Sequence, residues 1–214
     1  MKPFGYVILI AIFSLGPLLY LAKYFPDQND KATDKELKEL GVVLLEEPVL
    51  LDLVGFVDHE KRSFGQDQFL GNWSFIYFGF TRCPDFCPLT MSILAKAELA
   101  LLADAERTNP ALFQGLLFTI DPERDKPENL APYVKTFSER FSGVWSADGV
   151  DQLARRLDVI FEKVKMDNGS YMFDHTSNLV IVGPQSRYIG YIKRPHSADQ
   201  IMQIFKLLER KRKG

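Results

Sequence analysis

The sequence predicts an α/β protein, a central mixed sheet flanked by helices, preceded by an N-terminal transmembrane helix. Two observations lead to this fold class. An uncharged apolar stretch lies near the start of the chain. In the remainder, short strand patterns alternate with helical patterns. The 214 residues suit one domain of about 150 residues with an appendage rather than two full domains.

The appendage is the uncharged stretch 4–22, which lies between Lys2 and Lys23. At about 1.5 Å per residue, a helix of this length nearly spans a hydrocarbon layer roughly 30 Å thick. A cleaved signal peptide is the alternative, but its apolar part is usually shorter and ends in a small-x-small cleavage site. We therefore expect residues 1–22 to be an uncleaved transmembrane signal anchor.

The charges beside this stretch predict its orientation. Lys2 and the amino terminus lie on one side, and Lys23 is followed by Asp27 and Asp30 on the other. The positive-inside rule then places residue 1 in the cytoplasm. We expect a single-pass protein of a bacterial inner membrane, with its globular domain in the periplasm.

The next segment is polar, mixes both charge signs and lacks a broad apolar face. We interpret residues 23–45 as a polar tether or a short solvated helix, and residues 46–214 as the folded domain.

Composition excludes several classes of protein. The chain has 26 basic and 28 acidic side chains, so its net charge of −2 argues against nucleic acid as a partner. Its 17 Phe, 8 Tyr and 2 Trp residues exclude intrinsic disorder. Two cysteines are too few for a disulfide-rich scaffold.

The first half of the domain shows two buried strands separated by a helix. Apolar runs at residues 73–80 and 116–120 are typical of strands covered on both faces. Between them, after a turn at residues 81–88, apolar residues recur at helical spacing until Asn109 and Pro110 stop the pattern. Asp121 and Pro122 end the second strand.

The second half contains three helices and a strand pair. We predict a helix over residues 127–141, restarted or kinked at Pro132, and another marked by Leu153, Leu157 and Ile160. After a turn signal at residues 167–169, strands at 179–182 and 188–192 precede an amphipathic helix through Leu208. This order of elements is typical of a thioredoxin-like sandwich, in which a cysteine motif lies between the first central strand and its helix.

Cys83 and Cys87 lie at that strand-to-helix turn. The N–H groups at a helix start stabilise a thiolate and lower its pKa, and such thiolates attack disulfides or bind soft metals. Pro88 suits the first turn of the helix. The plain alternative is a structural disulfide, although closing so short a loop adds little stability.

A metal site with two thiols needs further ligands, and the chain has three histidines. We interpret His59 and His196 as surface or core residues. His175 precedes a predicted strand, where a loop can return to the cysteine turn, but spacing alone does not distinguish a ligand from a structural residue. Two thiolates and an imidazole suit Cu(I), or Cu(II) with an added oxygen, whereas structural Zn²⁺ normally takes four protein ligands.

Three neighbours of His175 have open roles. Asp174 either orients the imidazole or is a solvated loop carboxylate. Met166 and Met172 either assist copper through their thioethers or simply pack. The segment Asp121-Pro-Glu-Arg-Asp125 is interpreted as loop architecture, since Asp-Pro favours a turn and opposite charges pair locally, with partner docking as the alternative.

Three blocks of sequence, FGFTRCPDFCP at 78–88, TIDPERD at 119–125 and DHTS at 174–177, resemble the SCO/SenC family of membrane-anchored, thioredoxin-like copper proteins. The resemblance runs from about residue 51 to residue 208. It implies that Cys83, Cys87 and His175 bind copper as Cu(I) and/or Cu(II). It also implies a role in assembling the dinuclear copper centre in subunit II of cytochrome c oxidase. Residues 46–72 match the family only loosely, which leaves copper binding unaffected but puts partner choice in doubt.

Two functions follow from the same thiols. As a metallochaperone, which is not an enzyme, the protein would take copper from a donor and pass it to subunit II by ligand exchange. As a thiol–disulfide oxidoreductase, it would use Cys83 and Cys87 as catalytic residues to reduce a partner's cysteines, and a thiol reductant protein would restore them. A peroxidase is a third hypothesis, supported only by Arg82 beside Cys83.

Overall fold

The computed structural model describes residues 28–104 and 112–213. Its helices are α1 (Gln28–Glu39), α2 (Phe86–Asp104), α3 (Pro127–Lys135), α4 (Val150–Arg156) and α5 (Ala198–Lys213). Its strands are β1 (Val42–Leu50), β2 (Phe56–Asp58), β3 (Ser74–Gly79), β4 (Gln114–Thr119), β5 (Ser142–Ser146), β6 (Phe161–Lys165), β7 (Tyr171–His175), β8 (Leu179–Gly183) and β9 (Arg187–Ile192).

Seven strands form one mixed sheet in the order β1-β9-β8-β3-β4-β5-β2. Strands β3, β4 and β5 are parallel, and the other pairs are antiparallel. Strands β6 and β7 pair only with each other, as a separate two-stranded hairpin. The predicted central mixed sheet flanked by helices is confirmed, whereas the predicted transmembrane helix lies outside the described residues.

The middle of the sheet is the core of the domain. All six residues of β3 are buried, because β4 and β8 flank the strand and helices cover the sheet. Helix α2 contributes buried side chains at helical spacing, namely Met91, Leu94, Ala97 and Leu101. Residues Phe86–Ala103 of this helix are also long and apolar enough to cross a membrane by length and composition, but their packing on the sheet identifies a core helix.

Of the two states predicted for the segment 23–45, a polar tether or a short solvated helix, the structure shows a helix. Residues 28–39 form α1, whose Leu37 is fully buried. Ion pairs connect it to α5, with Lys211 bonded to Asp34 at 2.6 Å and Arg210 to Glu36 at 2.8 Å. β1 then adds an edge strand beside β9. Helix α1 packs on the domain through Leu37 and through ion pairs to α5. It therefore has no apolar face that the sequence pattern could show.

Two predicted helices are shorter than expected. Helix α3 ends at Lys135 and continues through Pro132 without a break, since a proline so early leaves only one carbonyl without its helical partner. Helix α4 ends at Arg156, and Ile160 is an exposed residue before β6. No sequence pattern predicted strands β1, β2, β5, β6 and β7, which are short, polar or at sheet edges.

Candidate metal centre

The two cysteines lie where β3 meets α2. Cys83 is in the connecting loop, where its backbone N–H donates to the Phe80 carbonyl at 3.2 Å. Cys87 is in the first turn of α2 together with Pro88, as predicted. Its backbone N–H donates to the Cys83 sulfur at 3.4 Å. A helix N-terminus therefore points an N–H group at the Cys83 sulfur, the arrangement that stabilises a thiolate.

The two sulfurs have opposite electrostatic environments. Both cysteines are free thiols, but Cys83 is partly exposed and Cys87 is completely buried. Hydrogen bonds from the Cys87 side chain, the His175 imidazole and two backbone N–H groups lower the pKa of Cys83 to about 3, against the opposing effect of burial. The pKa of Cys87 is raised, because its thiol donates to Cys83 and because it is buried. The pair therefore carries one thiolate and one thiol.

His175, at the end of β7, approaches the same loop. Its ring lies edge-on to Tyr77 and Phe80, with centroid distances of 5.7 and 6.3 Å. Its Nδ1 is 2.9 Å from the Thr176 carbonyl oxygen. When a metal ion takes the place of the hydrogen bond to Cys83, a proton on Nδ1 donated to that carbonyl leaves the lone pair of Nε2 for the metal, the form in which imidazole binds metals.

The pairing of β8 with β3 explains this approach. Leu179 opposite Tyr77 places the start of β8 beside the end of β3. The residues just before β8, including His175, therefore reach the cysteine loop.

The other candidates from the sequence lie elsewhere. His59 is buried and accepts a hydrogen bond from the Gly143 N–H at 3.2 Å. His196 lies 3.2 Å from the Ile192 carbonyl oxygen. Both are structural, as expected.

The neighbours of His175 do not join it. Asp174 is exposed and pairs in register with Glu162, and alternation along β7 directs it away from the face that carries His175. The Thr176 carbonyl, rather than Asp174, bonds the imidazole. Met172 lies opposite Val164 and packs against the hydrophobic core, and Met166 is exposed.

The three remaining candidates fit a soft metal ion. Cys83 is in hydrogen-bond contact with both Cys87 and His175. Within residues 28–104 and 112–213, no three His, Cys, Asp or Glu side chains are grouped closely enough to hold a metal ion as they stand. Two sulfurs and one imidazole nitrogen suit copper better than structural zinc.

Two residues of β3 that pack beneath the cysteines, Tyr77 and Gly79, were not predicted from the sequence. A Cβ atom on Gly79 would lie 2.8 Å from the Cys87 sulfur, so glycine makes room for that sulfur against β3. Tyr77 is fully buried, and its hydroxyl makes no hydrogen bond of ordinary geometry to a described residue, although Thr90, Ser177 and Cys87 are its polar neighbours. Burial raises the pKa of Tyr77. The only sequence signal was a glycine at the end of an aromatic strand.

The segment 121–125 contributes structure to the site. Asp125 is completely buried and accepts hydrogen bonds from the Thr81 N–H at 2.8 Å and the Thr119 hydroxyl at 2.8 Å. Thr81 lies two residues before Cys83. The interpretation of this segment as loop architecture is therefore confirmed, and the loop that it braces is the cysteine loop.

Fold and site together define a thioredoxin-like α/β protein with a thiol pair and an imidazole at the end of a central strand. The SCO1/SenC family model matches residues 54–209. The chain therefore belongs to the SCO1/SenC family.

Its relatives include bacterial and mitochondrial proteins. A Stutzerimonas stutzeri protein named "Putative copper-binding protein" is 29% identical over 169 residues, which are 78% of this chain and 81% of that protein. The human "Protein SCO1 homolog, mitochondrial" is 32% identical over 193 residues, 88% of this chain and 62% of that protein. This chain thus spans less than two thirds of the human relative.

Solved structures share the fold. "Arabidopsis thaliana ScoI with copper bound" matches 78% of this chain and 98% of that chain, with a TM-score of 0.65 and 23% identity. "Yeast Sco1 with Copper Bound" matches 80% of this chain and 91% of that chain, with a TM-score of 0.61 and 24% identity.

Proposed function

We propose that this protein is a copper-binding metallochaperone that assists assembly of cytochrome c oxidase. Copper is its cargo, bound by Cys83, Cys87 and His175 and passed to the dinuclear centre in subunit II. Membership of the SCO1/SenC family supports the proposal, as do the copper-binding name of one relative and the copper-bound structures of others.

The observation that carries the proposal is the position of Cys83 between the other two ligands. It contacts the Cys87 thiol and the His175 imidazole, and its lowered pKa keeps it ionised at neutral pH. A thiolate is the form that binds metal. Because Cys83 is also partly exposed, an incoming sulfur or imidazole ligand of the recipient reaches the ion there first, and copper leaves by ligand exchange.

The proposed location follows from the sequence. Residues 1–22 anchor the protein in a bacterial inner membrane, with the described domain in the periplasm. That compartment oxidises thiol pairs. Copper binding requires both thiols reduced, so a periplasmic thiol reductant protein is part of the proposal, together with a copper donor.

Anaerobic Cu(I) titration of the reduced full-length chain in detergent, against a competing chelator, tests the proposal. We expect one Cu(I) per chain, and loss of tight binding in Cys83→Ser, Cys87→Ser and His175→Ala. His196→Gln is the matched control, because it removes a histidine outside the site and should bind as the parent does. A parent that does not bind copper, or His175→Ala binding with the parent's affinity, overturns the assignment.

The asymmetric thiol pair favours thiol–disulfide exchange as a second function. The Cys83 thiolate attacks a disulfide of the partner, which forms a mixed disulfide and releases one partner thiolate. Cys87, after losing its proton, attacks the Cys83 sulfur, which releases the second partner thiol and leaves a Cys83–Cys87 disulfide. The partner is reduced and the pair is oxidised by the same two electrons.

Turnover of a disulfide peptide without copper separates the two functions. Exchange that requires both cysteines and persists in His175→Ala supports the oxidoreductase. Absence of exchange in the copper-free parent excludes it.

A further inference from the structure

The ligands of the candidate site are divided between two elements that do not pair with each other. The cysteines follow β3 of the large sheet, whereas His175 ends β7 of the separate hairpin. No backbone ladder within the described residues connects β6 or β7 to the seven-stranded sheet. Residues 176–178 tie His175 to β8, and side-chain contacts of the hairpin supply the remaining restraint on where the imidazole lies relative to the sulfurs.

One loop contacts both elements. Residues 121–125 follow β4, which is parallel to β3, so this loop emerges beside the cysteine loop. On the cysteine side, Asp125 accepts hydrogen bonds from the Thr81 N–H at 2.8 Å and from the Thr81 hydroxyl at 2.5 Å. Asp125 is completely buried, so water does not compete for these bonds.

On the hairpin side, the neighbouring Arg124 holds Tyr171. Its guanidinium lies 3.7 Å from the centre of the Tyr171 ring and donates to the Tyr171 carbonyl at 3.2 Å. The same guanidinium donates to Asp121, and the Tyr171 hydroxyl donates to the other oxygen of Asp121 at 2.9 Å. Three side chains thus close a ring of contacts.

This ring is stronger than a surface ion pair. The Asp121 side chain is 1% exposed and that of Arg124 is 18% exposed, so the charges are screened far less than exposed ones. Lys163, which bonds Glu123 at 2.8 Å, adds a more exposed contact on the rim.

Tyr171 and His175 project from the same face of β7, since residues four apart in a strand point the same way. At about 3.3 Å per residue, they are about 13 Å apart along the strand. Fixing Tyr171 therefore fixes the start of the strand that carries the imidazole.

We propose that residues 121–125 act as a clamp that sets the separation between the thiol pair and the imidazole. Asp125 holds the cysteine loop, and Asp121 and Arg124 hold Tyr171 on the hairpin. These are positioning residues, since they act through His175 and the cysteines. The inference rests on the proposed function for its effect on copper, but its structural part is independent of copper.

A double-mutant cycle tests the effect on copper. Arg124→Gln should lower the Cu(I) affinity of the full-length chain about 10- to 100-fold, as loss of a residue that orients a metal ligand typically does. In a His175→Ala background the same substitution should have no further effect, because the imidazole that it positions is gone. Equal losses in the two backgrounds would overturn the proposal.

Two further variants distinguish a local effect of Arg124 from a general loss of folding. Tyr171→Phe keeps the ring under Arg124 and removes only the hydroxyl's bonds to Asp121 and Glu123, so we expect a smaller loss of affinity that again vanishes without His175. Arg140→Gln is the matched control, because Arg140 also bonds a buried carboxylate, Glu98 at 3.0 Å. Glu98 lies about three helical turns along α2 from Cys87, so copper affinity should not change.

Hydrogen–deuterium exchange of the metal-free chain tests the structural part. In Arg124→Gln we expect faster exchange of amides in residues 171–175 and unchanged exchange in residues 74–79. Unchanged exchange in residues 171–175 would overturn the clamp. A parent that fails to bind copper but shows this local change would overturn the proposed function and leave the clamp established.

Discussion

The sulfur of Cys87 packs against the Cα atom of Gly79, at the one position on β3 where a side chain would displace it. A Cβ atom on residue 79 would lie 2.8 Å from the sulfur and 3.0 Å from the Tyr77 ring. Neither neighbour moves freely, since Cys87 and Tyr77 are completely buried. The position of the second thiol therefore depends on a strand residue that takes no part in metal chemistry.

Gly79→Ala should weaken Cu(I) binding and lower the free energy of unfolding by about 1–3 kcal/mol, the usual cost of overpacking. Chelator competition and urea denaturation measure the two effects. Gly65→Ala is the control, because a Cβ there has its nearest neighbour at 3.9 Å. Parent-like affinity in Gly79→Ala would show that the sulfur does not need this space.

Cys83 should react with iodoacetamide in acidic solution where ordinary thiols do not. Its pKa, lowered to about 3 mainly by the Cys87 side chain, keeps it ionised, so its rate should be nearly constant between about pH 5 and 8. A thiol with a pKa of about 8.5 slows roughly tenfold per pH unit over that range. Site-resolved mass spectrometry of the reduced, metal-free chain measures the rates.

Two variants sharpen that measurement. Cys83→Ser, which retains only the buried Cys87, should remain unmodified at neutral pH. His175→Ala should slow the reaction in acid, because the imidazole is one of the groups that stabilise the thiolate. A parent rate that falls tenfold per unit below about pH 8 would contradict the lowered pKa.

Asp125→Ala should lower the free energy of unfolding by about 1–3 kcal/mol. The substitution leaves the Thr81 N–H and the Thr119 hydroxyl without their acceptor inside the protein. Denaturation in urea measures the loss. Glu139→Ala removes an exposed carboxylate that pairs with Lys135 at 3.4 Å and should change stability little. Equal values for the two variants would contradict a bracing role for Asp125.

His59 should make the fold sensitive to mild acid. Burial, and then the charge of Lys135, lower the pKa of His59 below 6.5. The unfolded chain therefore takes up a proton on this residue before the folded chain does, and stability is lost as the pH falls below about 6.5. Urea midpoints near pH 7.5 and pH 5.5 should differ less in His59→Gln than in the parent. An identical pH dependence would exclude His59 as a cause.

The sequence predicted the parts of the fold that a repeated apolar pattern marks. Strands β3, β4 and β8 are confirmed because they are buried and hence almost continuously apolar, and β9 because its buried residues alternate along the strand. Strand β6 was missed because four of its five residues are exposed, which leaves no alternation to recognise. The sequence left helix α1 undecided between a tether and a short helix, because ion pairs to α5 replace the apolar face that marks a packed helix.

The candidate site, like the fold, was predicted only in part. Cys83 and Cys87 were predicted from chemistry and position, and the structure brings His175 to them, whereas the spacing left that histidine undecided. What the sequence did not show was the contribution of Gly79, Tyr77 and Arg124. Their effect depends on distances across the fold, and no local spacing encodes such distances.

Under the proposed function, the hairpin of β6 and β7 has a consequence for the speed of copper release. Because the imidazole sits on an element outside the seven-stranded sheet, its withdrawal breaks contacts of the hairpin and leaves the sheet intact. The activation barrier for releasing the ion therefore does not depend on the barrier for unfolding the domain. A very stable domain can still turn over its cargo quickly, and selection can tune residence time through a few hairpin contacts without cost to the rest of the molecule.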